Sequence, residues 1–123
     1  MMWVADYIGQ EWIRGENDCW AFFRKVQAEK FGRIVPVVDV DSMSRLACTR
    51  ELEGHQEHSN WFSVDTPADG DAVLMGKNKH PAHIGLWVNG GVLHCLQGIG
   101  SVFQPPHMLE LSGWNMISFY RHK

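Results

Sequence analysis

Residues 83–95 read HIGLWVNGGVLHC. An apolar run is broken once, at Asn89-Gly90, and is bracketed by His83 and His94. Asn-Gly is the strongest short signal for a two-residue hairpin turn of type I′, because both turn positions need positive φ. With Asn89 and Gly90 at those positions, Val88 pairs with Gly91, Gly85 with His94, and His83 with Leu96. Alternation then places His83, Gly85 and Trp87 on one face with Val92, His94 and Leu96. The other face carries Ile84, Leu86, Val88, Leu93 and Cys95, all apolar, and is expected to be the buried one. The two histidines become diagonal neighbours with Cα atoms roughly 7–8 Å apart. Gly85, opposite His94, leaves space beside both rings. A three-residue loop would send His83 to the opposite face; the apolar stripe favours the shorter turn.

Outward from the hairpin the chain changes character. The short segments DAVLMG, AHIGLWV, GVLHCLQ, SVFQP and MISFYRH are β-prone and separated by turn residues. A further short strand is expected at Trp61–Val64. On the N-terminal side, NDCWAFFRKVQAEKFG reads as a helix. Asn17 or Asp18 serves as N-cap, Gly32 stands at the C′ position, and Cys19, Phe22, Phe23, Val26 and Lys30 recur at helical spacing. Residues 34–40 read as an extended connection, and DSMSRLACTRELEG as a second helix from Asp41 to Gly54. Helices first and antiparallel strands afterwards predict an α+β fold, with the helices packed on a meandering sheet. One domain spanning 1–123 is expected from the length.

Composition removes several function classes. Net charge is −3 and there is no basic stripe, so nucleic acid is a poor candidate partner. The start, MMWVADYIGQEWIRG, has neither the charged and apolar regions of a signal peptide nor a membrane span. A cytoplasmic location in the producing cell is the expectation. Three cysteines, none in a CxxC, do not make a disulfide framework or signal a structural zinc site.

Of these thiols, Cys95 is excluded as a partner for the histidines by parity, and Cys48 sits in a charged helix. Cys19 remains, in the first turn of a helix. Exposed N–H groups there lower a thiol pKa, and a nearby imidazolium lowers it further. A thiol, a base imidazole and a second polar group that orients the base form the triad in general form. Cys19, His83 and His94 as three zinc ligands are the competing reading, since Cys and His suit zinc well; only three ligands are evident. Asp69 and Asp71 in PADGD read as turn formers and Asp18 as a cap. His55 and His58 read as residues of a solvated loop. No cofactor and no metal are called for. Trp12, Trp20 and Trp87 are candidates for a substrate groove, with core filling at least as good an account of Trp20.

The ordered set NDCWAFFRKV, ADGDAVLM, HIGLWVNGGVLHC and FYRHK resembles the NlpC/P60 family of papain-like cysteine peptidases. The resemblance implies Cys19 as nucleophile, His83 as general base and His94 as orienting residue, in agreement with the hairpin reading. Trp20-Ala21 stands where the family usually has Ser-Gly. The resemblance also implies a tyrosine before the nucleophile that supports the oxyanion site, a role that Tyr7 fits by spacing. The backbone N–H of Cys19 is the safer oxyanion donor. Members hydrolyse stem peptides of bacterial peptidoglycan, the implied substrate here. Phage-encoded members of this size are tail-associated, which implies other tail proteins as partners and a virion location. Two further readings stay open. One is a structural tail component in which the fold serves binding, and the other is a thiol amidase or acyltransferase with the same triad.

Overall fold

The computed structural model describes residues 2–36, 60–77 and 80–123. The expected second helix, with Cys48, and the loop histidines His55 and His58 lie outside the described residues. The fold is α+β. An N-terminal 3₁₀ helix, Met2–Tyr7, precedes α1, Cys19–Phe31. Six strands follow: β1 Trp61–Val64, β2 Ala72–Lys77, β3 His80–Val88, β4 Gly91–Leu96, β5 Gly100–Gln104 and β6 Met116–His122. A short helix, α2, Pro106–Leu111, connects β5 to β6.

Helix α1 forms where its caps allow. The Asp18 carboxylate accepts from the Ala21 N–H at 2.9 Å, and Gly32 closes the C-terminus at φ 65° with its N–H on the Gln27 carbonyl. Its inner residues Phe22, Phe23 and Val26 are at most 1% exposed. Each buries roughly 1.5–3 kcal/mol of apolar surface. The helix packs on β3 and β4. There Cys19, Trp20, Phe22, Phe23 and Val26 meet Leu74, Ile84, Leu86, Val88, Leu93 and Cys95 in one cluster.

The sheet is antiparallel throughout, in the order β1-β6-β2-β3-β4-β5. Strands β2 to β5 make the expected meander, but β6 returns to lie between β1 and β2. Arg121 on β6 holds the buried Asp71 with Nη2 2.9 Å and Nε 3.1 Å from its two oxygens. Asp71 also accepts from Ala68 N, a local bond in line with its turn reading, and Asp69 accepts from Asn89 N in the β3–β4 turn. The outer edge of β5 is covered by the N-terminal segment: Gly9 N donates to Ser101 O, and Ser101 N to Gln10 O. An edge so covered is not open to pairing with another chain.

One expectation needs correction. The face carrying the histidines was expected to be the open one, and it is buried too. Val92 and His94 are wholly inaccessible to solvent. Helix α2 and the turn after it fold over this face, so that Leu109 and Trp114 pack with Val73, Met75 and Val92, and Trp87 and Phe119 join them. The segment PPHMLELSGW carries the signal for this cover, because Pro106 suits the first turn of a helix and Leu109 gives it an apolar anchor.

Candidate functional site

The hairpin forms in the expected register. Asn89 and Gly90 occupy the turn with φ of 54° and 78°. Val88 pairs with Gly91, Trp87 with Val92, and Leu86 with Leu93. Gly85 therefore lies against His94, and a Cβ built on it would stand 3.0 Å from the His94 Cβ and 2.5 Å from Val92 Cγ1. Only the missing side chain lets the two strands carry a ring at this place.

His83 and His94 are brought into direct contact. His83 Nε2 lies 2.8 Å from His94 Nδ1, with the rings 68° apart. On its far side, His94 Nε2 lies 2.7 Å from Gln104 Oε1 on β5. The Gln104 amide nitrogen donates to Ser112 Oγ at 3.2 Å. Trp114 stacks on the His83 ring at 5.3 Å with 16° between the planes. The pair is thus clamped between a tryptophan and a glutamine that the hairpin alone does not reveal. Gln104 pairs with Val92 in the β4–β5 ladder and so shares the face of His94. Its place follows from the loop between β4 and β5, and that of Trp114 from the return of the chain after α2.

Burial sets the charge state of both rings. Loss of water lowers the His83 pKa well below 6.5, and His94 lowers it further. Burial brings His94 down to about 4, with its hydrogen bond to Gln104 acting the other way. Both imidazoles are neutral at pH 7. This corrects the expectation of a resting imidazolium that would assist the Cys19 thiol. A charge between the strands would cost desolvation, and the helix start favours a thiolate in its first turn.

Cys19 opens α1, directly after its cap, and is 2% exposed. It packs in the cluster beneath α1, and His83 stacks on Trp114, which packs against the second cluster. The N-terminus of α1 lies at the end of β4 that carries His94, since Cys95 Sγ donates to Asn17 O at 3.3 Å. Burial raises the Cys95 thiol to about 11, against the pull of Lys25, which suits an inert residue. At its start, β3 slips by one residue against β2: Met75 faces His83, but Gly76 faces Pro81. Such a bulge re-aims side chains beside it.

The remaining candidates separate. The Tyr7 hydroxyl donates to Glu29 at 2.6 Å, and burial, helped by Glu29, pushes its pKa up to about 12. Glu29 is ten residues along α1 from Cys19, about 15 Å at the helical rise. Tyr7 thus braces α1 and the 3₁₀ helix, away from the helix start where an oxyanion donor is needed. Trp20 is 3% exposed, with Nε1 donating to Pro36 O, and fills the core. Trp87 packs edge-on against Phe119. Trp12 lines a cavity of about 190 Å³ with Glu11, Gly98, Ile99 and Gly100. Among the described residues, no three His, Cys, Asp or Glu side chains come together as metal ligands. Of the four imidazole nitrogens in the zinc reading, His83 Nε2 and His94 Nδ1 are spent on each other.

The fold aligns with the crystal structure of the NlpC/p60 domain of the peptidoglycan hydrolase SagA, over 98% of this chain and 92% of that one. The TM-score is 0.58 and the identity 18%, a likeness of fold. No model of a known protein family matches the chain, and no curated protein matches it.

Proposed function

We propose that this protein is a cysteine-type hydrolase that cleaves peptide or amide bonds in peptidoglycan stem peptides, with Cys19 as nucleophile, His83 as general base and His94 as its orienting partner. The observation that carries the reading is the 2.8 Å contact between two buried, neutral imidazoles. Burying two rings costs desolvation that an apolar pair would not, and a base must be held in one orientation to work. The likeness of fold to the NlpC/p60 domain of a peptidoglycan hydrolase supports the substrate class.

With Nε2 of His83 committed to His94, Nδ1 is the nitrogen left for proton exchange. In the proposed reaction it takes the Cys19 proton as the sulfur attacks the carbonyl carbon. The Cys19 backbone N–H, at the helix start, holds the resulting oxyanion. The C–N bond then breaks, and the amine leaves with the proton from His83. Water attacks the thioester, giving its proton to His83. The C–S bond breaks, the acid is released, and the proton returns to the sulfur. The mechanism requires Sγ and Nδ1 to meet at the start of β3, where the ladder with β2 slips.

The test is incubation with purified stem peptides and mass spectrometry of the products. Cleavage is expected for the wild type and for Cys95→Ala, and none for Cys19→Ala or His83→Ala. Intact peptides with the wild type, as a purely structural tail component would leave them, overturn the reading. So does full activity of Cys19→Ala.

A further inference from the structure

The hydrogen bonds on the histidine face form a single line across three strands: His83 Nε2 to His94 Nδ1, His94 Nε2 to Gln104 Oε1, and Gln104 Nε2 to Ser112 Oγ. A neutral imidazole has one donor and one acceptor nitrogen, and an amide oxygen can only accept. The direction of every bond in the line therefore follows from the orientation of the Gln104 amide. Gln104 places its amide nitrogen on Ser112 and its oxygen on His94, so His94 Nε2 must carry the proton. His94 Nδ1 is then an acceptor, and His83 Nε2 must donate to it. His83 Nδ1 is left with a lone pair.

Turning the Gln104 amide over reverses the line. Its nitrogen would donate to His94 Nε2, His94 Nδ1–H would donate to His83 Nε2, and His83 would carry its proton on Nδ1. A ring in that state cannot accept a proton at Nδ1. One amide, two rings away, separates a base from a donor.

We propose that Gln104 is a positioning residue that sets the tautomers of both histidines, so that His83 presents an unprotonated Nδ1. Its catalytic consequence rests on the hydrolase reading; the tautomers themselves do not. Several features hold the members of the line in place. His94 is wholly buried, so no solvent competes with Gln104 for its Nε2. The backbone of Gln104 is held by the ladder opposite Val92, and Trp114 fixes the plane of His83. Buried polar networks of this kind specify a single arrangement only when each member is satisfied. Among the described residues no buried side-chain polar atom lacks a partner.

The experiment is long-range ¹H–¹⁵N correlation spectroscopy of the histidine rings at pH 7, on the wild type, Gln104→Leu and Gln104→Glu. In the wild type both His83 and His94 should be Nε2–H tautomers. Gln104→Leu removes the acceptor and should release His94 to its Nδ1–H form, with His83 following. Gln104→Glu, whose carboxylate can only accept, should keep both rings in the wild-type tautomers and raise the pKa of His94. Amide spectra report whether each variant is folded, and Gln104→Glu keeps the test decisive should Gln104→Leu fail to fold. Finding Nδ1–H on His83 in the wild type overturns the proposal, as does a folded Gln104→Leu or a Gln104→Glu with the opposite pattern. This readout needs no substrate, so failure of the hydrolase reading is seen separately, in the cleavage assay. Where stem peptides are cleaved, Gln104→Leu should lower kcat about 10- to 100-fold with little change in KM. That loss is part of the roughly 10²–10⁴-fold supplied by general acid–base participation. Gln104→Glu should recover most of it.

Discussion

Acidification should destabilise this protein through its histidine pair as pH falls from 6.5 towards 4. His94 is wholly buried and its pKa falls from 6.5 in the unfolded chain to about 4 in the fold. Between those values the unfolded chain binds a proton that the folded one refuses, so stability falls as pH falls. The contribution is complete above pH 6.5 and lost by about pH 4. At about 1.4 kcal/mol per pKa unit the loss is about 3 kcal/mol. That is a large share of the 5–15 kcal/mol that holds a typical domain together. His83 is lowered in the same direction by burial and by His94, and steepens the loss. The assay is urea unfolding followed by tryptophan fluorescence at pH 7, 5.5 and 4, for the wild type and for His94→Gln. Glutamine still hydrogen-bonds but does not titrate. Carboxylates contribute equally to both proteins, so the difference between them reports His94 together with its effect on His83. The wild type should lose about 3 kcal/mol more than His94→Gln between pH 7 and 4. Equal losses would refute the buried, neutral state of His94, and with it the direction assigned to the hydrogen-bonded line.

The same burial sets the pH profile of catalysis: a His83 held neutral keeps the acid limb of kcat/KM well below pH 6.5, and a limb centred at or above 6.5 would contradict it. Gly85→Ala would press a methyl group onto Val92 and His94, costing roughly 1–3 kcal/mol of stability as overpacking does; thermal unfolding should show Tm lower by roughly 4–12 °C, and the added substitution Val92→Ala should recover part of that loss. Asp18→Ala removes the acceptor for Ala21 N and Gly15 N and should cost about 1 kcal/mol of stability, measured by urea unfolding. On a cleavable stem peptide, His83→Ala should abolish turnover, His94→Ala cut it severely, and His94→Asn or Gln retain more than His94→Ala; a fully active His94→Ala would remove the orienting role.

The hairpin was legible in the sequence because its causes are local. Asn89-Gly90 accepts the positive φ of a tight turn, and strict alternation then determines which side chains share a face. The capped helix from Cys19 and the turn at Asp69–Asp71 are local in the same sense, as is the sequence of strands that makes the fold α+β. Three things depended on the tertiary structure. The insertion of β6 between β1 and β2 is a pairing between residues some fifty positions apart, and no short-range pattern encodes it. The placement of α2 and Trp114 over the histidine face turned an expected open surface into a second buried cluster. That burial, and not the identity of the residues, made both imidazoles neutral and moved the proton question to Gln104. Type, spacing and face of the site residues are written in the sequence, whereas desolvation and hydrogen-bond partners arise only when distant segments close over them.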